Sequence, residues 1–562
     1  MTSLEEALRH AEEKLSAKDA GVLKAVADAY AYLSELVEDK NTSIAKLRKL
    51  LFGAKTEKTA AVVGPGAPGE SPSPPEGDAG SDTAGQSSLI TLPNTETKND
   101  SEAAAKGHGR NGADDYPGAE KIEVPLASLT AGDRCPKCED GTIYQSRPGV
   151  LVRLTGQPPI GAKIYYLQKL RCNLCGAVFS AEAPSCACTE KYDATAGSMI
   201  ALLKYGTGMP FNRMENLQQG LGIPLPASTQ WDIVEAQAER AEPAFEELVR
   251  RAAQGEVVHN DDTTVKILEL MGERARQEAL AQDAADPAAR SARAAKNEPQ
   301  RTGMFTSGIV STHATSGGHK IALFLSGRRH AGENLKDVLA RRAAELAAPI
   351  QMCDALSRNA PAELKTILAN CLAHGRRQFV EVAERFPQEC RHVLEALAAV
   401  YRNDAIAKER DLSPGERLIF HQKQSGPIME ELHAWLARHF DERRAEPNSA
   451  LGGAISYLRK HWEKLTVFLR VAGAPLDNNV CERALKKAIL HRKNALFYKT
   501  CHGAHVGDVF MSLIYTCQLC GANAFDYLSE LDRHAEELAA NPRDWMPWNY
   551  RERSEYQAPI AT

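Results

Sequence analysis

The chain has 562 residues, 43% hydrophobic and 25% charged, an ordinary water-soluble composition with apolar mass for three or four domains. Its net charge of −5 and pI of about 6.4 exclude a globally basic field, so any contact with nucleic-acid phosphates must come from local patches. No apolar run approaches the roughly 20 residues of a spanning helix, and the N-terminus lacks a basic stretch followed by an apolar core. A cytoplasmic protein with no membrane partner is expected, and the thirteen cysteines, several in close pairs, suit metal binding or reduced thiols better than a disulfide framework.

Residues 1–58 are rich in Ala, Leu, Glu and Lys at helical spacing, which predicts one or two amphipathic helices that serve simple packing or a coiled-coil seam between copies of the chain. Residues 59–106, with "GPGAPGESPSPPEGDAGSD", lack the aliphatic content of a core and read as a flexible linker. Residues 107–192 turn to short β-like runs carrying two CxxC knuckles, Cys135 with Cys138 and Cys172 with Cys175, each closely followed by glycine. Four such thiolates make a closed tetrahedral zinc site, so a zinc ribbon with a structural and DNA-presenting role is expected here. Cys186 and Cys188 read as incidental.

Residues 193–253 are helical. "PFNRMENLQQGLGIPLPASTQWDIVEAQ" reads as helix, tight Gly/Pro turn, and a second helix capped by Ser228 or Thr229, the outline of a helix-turn-helix and equally of a plain helical hairpin. Residues 254–360 alternate strand-like runs ("EVVHND", "TVKILEL", "MFTSGIVST", "HKIALFLSG", "PIQMCD") with a helix ("AGENLKDVLARRAAEL"), an α/β pattern broken by an Ala/Arg-rich excursion at 273–300. Residues 361–472 read as helical throughout, 473–540 as helical again, and 541–562 as a polar tail.

Three acids stand where apolar patterning would not put them. Asp261 lies in the first strand, Asp354 ends the strand "PIQMCD", and Glu482 lies on the helix "LDNNVCERALKKAIL", which Asp477 or Asn478 can cap. Buried carboxylates require a partner or a cation. Converging from two strands and a helix, they can hold two Mg²⁺ (or Mn²⁺) ions for phosphodiester chemistry. Around Glu482 the cations Arg483, Lys486, Lys487, Arg492 and Lys493 make a local phosphate-binding face, against the plainer reading of Glu482 and Lys486 as a solvated helix pair. In "NCLAHGRRQF", Cys371 and His374 are one helical turn apart, able to face one ion or phosphate, or else simply packed beside Arg376 and Arg377. Cys517 and Cys520 read as core residues of an apolar helix.

These blocks together, "SIAKLRKLLFGAKTEK", "KGHGRNGA", "LRCNLCG", "HNDDT", "NCLAHGRRQF" and above all "LDNNVCERALKKAILHRKNALF" with "SLIYTCQLCGANAFDYL", resemble transposases of the insertion sequence 66 family over nearly the whole chain. The resemblance implies a multidomain α+β protein: a ribonuclease-H-like α/β catalytic core with an all-helical insertion, preceded by the zinc ribbon, the helix-turn-helix-like segment and the N-terminal helices. It implies a DDE transposase whose acidic triad falls on Asp261, Asp354 and Glu482. Where the family reads Asp-Glu-Thr this chain reads Asp261-Asp262-Thr263, so Asp262 is an alternative first ligand. The Gly and Tyr that usually follow the second acid are absent after Asp354. The expected activity is Mg²⁺-dependent cleavage at terminal inverted repeats and strand transfer into target DNA, by a homo-oligomer assisted by small accessory proteins of the element. The alternatives are an inactive, transposase-derived repressor and a stand-alone nuclease that cuts without joining.

Overall fold

The computed structural model describes residues 159–556 except 172–177, most of 183–190, most of 273–302, 314–317 and 361–364. The expected N-terminal helices, the linker, the zinc-ribbon cysteines Cys135, Cys138, Cys172 and Cys175, and most of the Ala/Arg-rich excursion lie outside the described residues. So does the close pair Cys186 and Cys188. Two short strands, β1 (Lys169–Arg171) and β2 (Val178–Ser180), pair antiparallel ahead of the main body.

A mixed sheet of five strands organises the main body. β3 (Val257–Thr264), β4 (Phe305–Thr312) and β5 (Lys320–Gly327) form an antiparallel meander, and β6 (Ile350–Cys353) and β7 (Ile367–Asn370) add parallel strands on the other side of β3, giving the order β5-β4-β3-β6-β7. β4 is buried on both faces from Thr306 to Ser311, and β3 from Val258 to Asn260, beyond which the strand opens at its acids. The expected strand "TVKILEL" does not form separately. Thr264 ends β3, Ile267 makes one isolated bridge to Tyr498, and residues 268–270 turn into a 3₁₀ helix.

α1 (Ala194–Ala201), α2 (Phe211–Gly220) and α3 (Ala227–Ala252) precede the sheet. The hairpin of α2 and α3 forms as expected, but the cap does not: Pro226 occupies the N-cap with fixed φ and no side-chain bond, so helix begins before Ser228. α3 then runs for 26 residues and buries Val234, Ala241, Phe245 and Leu248 in the body of the protein. α4 (Ala331–Leu339) crosses back from β5 to β6.

After β7 the chain leaves for a helical unit: α5 (Leu372–Val382), α6 (Pro387–Glu409), α7 (Pro414–Gln424), α8 (Gly426–Asp441) and α9 (Ala450–Leu465). Phe379, Leu394, Leu397, Leu432, Leu436, Ile455 and Leu458 form its core, which continues into Ile350 and Met352 of the sheet. The reading of residues 361–472 as helical throughout fails at Ile367–Asn370. Four residues are too few for a stable helix, and parallel pairing with β6 satisfies their backbone instead. Within the helical unit Asp404, 4% exposed, accepts bonds from Arg417 (2.7 Å) and Lys408 (2.9 Å) and lies 3.3 Å from His421; these partners hold its carboxyl well below the usual range against the opposing effect of burial.

The chain returns as α10 (Asn479–Ala495) and α11 (Cys501–Cys520), followed by α12 (Ala524–Arg533), α13 (Ala535–Ala540) and α14 (Tyr550–Tyr556). β5 is an edge strand, and α11 covers that edge. The amides of Ser326, Phe324 and Ala322 donate to Asp508 Oδ2 (2.6 Å), Ser512 Oγ (2.9 Å) and Thr516 Oγ1 (3.1 Å). Two strand residues advance about 6.8 Å and four helix residues about 6.0 Å, so a polar stripe at every fourth helix position tracks alternate strand amides in place of a sixth strand. Among the described residues no helix is long and apolar enough to cross a membrane.

Candidate active site

Strand alternation sends Asp261 and Asp262 to opposite faces of the sheet. Asp262 lies on the side of α4, where His330 Nδ1 is 2.8 Å from its Oδ2 and Arg358 is 3.5 Å from Oδ1. Asp261 lies on the side of α10, directly opposite Gly308 in the register of β4. A Cβ at Gly308 would stand 3.0 Å from Leu485 and 3.4 Å from Cys481 of α10, and Cys481 Sγ donates to the Gly308 carbonyl at 3.2 Å. The glycine therefore lets the helix lie against the strand beside Asp261.

Asp354 follows β6 and is 8% exposed. The Asn359 side-chain nitrogen donates to Asp354 Oδ1 at 2.6 Å and reaches Asp261 Oδ1 at 3.3 Å, so one amide spans the two carboxylates. Glu482 stands in the first turn of α10, where the helix N-terminus favours a negative charge. Burial, with Asp354, Asp262 and Glu482 adding repulsion, pushes the Asp261 carboxyl up to about 7, against a backbone amide that opposes the shift. The structure thus joins Asp261 on β3 and Asp354 after β6 through Asn359, and brings Glu482 on α10 near enough to add to the repulsion on Asp261, while Asp262 takes its partners His330 and Arg358 on the side of α4.

A buried amide network holds these three elements. Asn478, fully buried, occupies the N-cap of α10, yet its side chain does not cap the helix: Nδ2 donates to the Asn260 carbonyl (3.2 Å) and Oδ1 pairs with His259 Nδ1 (3.1 Å). Burial lowers the His259 pKa to about 4, so the ring is neutral and its Nδ1–H is the donor. Asn260 Nδ2 donates to the Asn359 carbonyl (2.8 Å), Gln351 Nε2 to both Asn260 Oδ1 (3.0 Å) and that carbonyl (2.8 Å), and Asn370 Nδ2 to the Asp354 carbonyl (3.1 Å). Sequence reasoning missed His259, Asn260, Gln351, Asn359 and Asn370 as site residues. The only available signal was the run of amides beside acids in "HNDD" and "LDNN".

Cys371 follows β7 directly and forms the N-cap of α5, with His374 one turn on. They face Glu482: Cys371, His374 and Glu482 offer ligand atoms all within 4.8 Å of one another. The Asn478 amide donates to Cys371 Sγ (3.2 Å), and burial pushes that thiol up to about 12. Of the expected cations on α10, Arg483, Lys486 and Lys493 are exposed along one face. Lys487 turns inward to the Gly206 carbonyl (3.2 Å), and Arg492 ties the helix to Thr263 (3.1 Å) and Thr264 at the end of β3. Arg376 and Arg377 are half-buried on α5, and Cys517 is buried in α11 with Cys520 partly so.

Residues 191–506 match the model of a family described as the IS66 transposase family. The matched span runs from α1 into α11 and contains every strand of the large sheet and all three acids. The chain is also similar to proteins of Sinorhizobium fredii (strain NBRC 101917 / NGR234) described as uncharacterized. It is 25% identical to y4hP over 405 residues, 69% of this chain and 68% of that one. It is 33% identical to y4jD over 189 residues, only 33% of this chain and 36% of that relative. With the family match extending over more than half of its length and enclosing the whole acid-bearing sheet, this chain belongs to the IS66 family of transposases.

Proposed function

We propose that the chain is a DDE transposase that binds the terminal inverted repeats of a bacterial insertion sequence, cuts the DNA there and transfers the freed end to a target. The observation that carries this reading is the Asn359 bridge between the Asp261 and Asp354 carboxylates, with Glu482 of the facing helix adding to the charge repulsion on Asp261. The strand order, a three-stranded antiparallel meander continued by two parallel strands, supports a ribonuclease-H-like core, with α5–α9 as its helical insertion. The acids Asp261, Asp354 and Glu482 offer hard oxygen donors, and Asp261 is buried and repelled by its acidic neighbours, so the donor set fits Mg²⁺ or Mn²⁺. Held there, such a cation would supply charge neutralisation at the phosphodiester and activation of the attacking hydroxyl.

The protein's own residues do the positioning. Asn359 fixes the first two carboxylates against each other, Asn478 fixes the start of α10 against β3, and the exposed face of Arg483, Lys486 and Lys493 offers phosphate contacts leading away from the acids. Zn²⁺ in the cysteine ribbon, the α2–α3 hairpin, Arg376 and Arg377 as further DNA contacts, pairing of copies through the N-terminal helices, and accessory proteins of the element belong to the same reading. The test is cleavage and strand transfer on DNA from the flanking inverted repeats with Mg²⁺ or Mn²⁺. Asp354→Asn is expected to abolish both products while end binding survives. Cleavage by that variant would move the second ligand elsewhere, and end binding without products in the unaltered protein would favour the repressor alternative.

A further inference from the structure

Beside Asp261 and Asp354 lies a second donor set, in which Glu482 is joined by Cys371 and His374, two groups the proposed reaction does not use. His374 Nδ1 and Glu482 Oε1 are each shielded from solvent with no hydrogen-bond partner, and they stand 3.8 Å apart. Leaving a buried polar atom unpaired costs about 1–3 kcal/mol, and 3.8 Å is too long for a hydrogen bond. Nitrogen, oxygen and sulfur ligands at about 2.0–2.3 Å from one tetrahedral ion stand roughly 3.3–3.8 Å from one another. A nitrogen and an oxygen ligand stand at the lower part of that range, about 3.3–3.6 Å, so the facing pair at 3.8 Å needs to close by only a few tenths of an ångström, and the third atom, Cys371 Sγ, falls within 4.8 Å of both. The sulfur is held in place by the Asn478 amide at 3.2 Å, and the imidazole by its position one turn into α5.

We propose that Cys371, His374 and Glu482 form a site for a thiophilic divalent cation of the zinc class, separate in ligand chemistry from the oxygen-only set of Asp261 and Asp354 and sharing Glu482 with it. Thiolate and imidazole select zinc-like ions over magnesium, whereas the acids alone select the reverse. Three protein ligands leave the fourth tetrahedral position open to water or to a DNA oxygen. Because Glu482 serves both sets, occupancy of one site is linked to affinity at the other. The site stands on its own geometry and does not depend on the nuclease reading.

Co²⁺ is a suitable probe, titrated into the metal-stripped full-length protein and followed by its visible spectrum and its sulfur-to-cobalt charge-transfer band. Cobalt bound by any other cysteines is common to every variant, so differences from the unaltered protein are read. Cys371→Ser is expected to lose one equivalent together with its charge-transfer contribution, and His374→Ala to weaken that equivalent about tenfold or more. Asp261→Asn is expected to keep it, since Asp261 is not one of the three ligands. Circular dichroism and melting curves verify that the variants fold. The proposal is overturned if Cys371→Ser and His374→Ala bind the same number of Co²⁺ ions with unchanged spectra, or if Asp261→Asn loses the same equivalent.

Discussion

Replacing Asn478 by Ala removes two side-chain bonds, to the Asn260 carbonyl and to His259 Nδ1, while keeping the backbone amide that reaches Cys371. Both lost partners are on β3, and His259 is 5% exposed and Asn260 fully buried, so solvent does not replace the missing amide. At about 1–3 kcal/mol for each of two buried groups deprived of a bond, the change should cost roughly 2–6 kcal/mol. With about 2–4 °C per kcal/mol for a domain of this size, the melting temperature should fall by roughly 4–24 °C. The same bonds set α10 against β3 four residues before Glu482, and a misplacement of about 1 Å at a reacting centre costs about a hundredfold in rate. Thermal unfolding followed by circular dichroism gives the first quantity, and nicking of a labelled element end, assayed well below the melting temperature, gives the second. A variant that melts within about 0.5 kcal/mol of the parent, the range of ordinary surface changes, and still cuts at the parental rate would refute the role assigned to this amide.

Gly308→Val should press on Leu485 and Cys481 and lift α10 from β4, at a cost of about 1–3 kcal/mol. DNA nicking should fall further than this loss of stability explains, and parental nicking by a folded variant would show that the close approach is unnecessary. Asp508, fully buried under β5, has its carboxyl pushed up to about 7 by burial, against the Ser326 bonds. Because its folded pKa lies above the unfolded value, its contribution to stability is complete below about pH 4 and is lost as pH rises to 7, by up to about 1.4 kcal/mol per unit. Asp508→Asn should therefore flatten the fall in melting temperature between pH 4 and 7, and parallel profiles for the two proteins would contradict this account.

Much of the sheet is legible in the sequence because its strands are long, apolar and bounded by polar turns. The runs "EVVHND", "MFTSGIVST", "HKIALFLSG" and "PIQMCD" all coincide with strands, and Asp261 and Asp354 fall on β3 and just past β6. β7 escapes because four residues between polar stretches carry no periodicity, and only β6 makes them a strand. The network of Asn260, Gln351, Asn359 and Asn478 escapes for another reason. Each amide bonds a partner distant in sequence or on a different element, and no spacing rule marks such a residue. Asn478 looks like a helix cap, and it occupies the cap position, but β3 takes its side chain. The edge-covering stripe Asp508, Ser512 and Thr516 is visible as an i, i+4 pattern, although nothing in the sequence names the strand it serves.

The Asn478–Asn260 bond closes a loop of 218 residues, and the whole helical unit is made before α10. At a synthesis rate of about 5–20 residues per second, the ribosome needs roughly 11–44 s to travel from β3 to the start of α10. For the last 128 residues before Glu482, roughly 6–26 s at that rate, a nascent chain carries the first two acids without the third. A truncated product ending between Asp354 and α10 is locked in the same condition, so premature termination there yields fragments that have β3 and β6 but no complete acidic set.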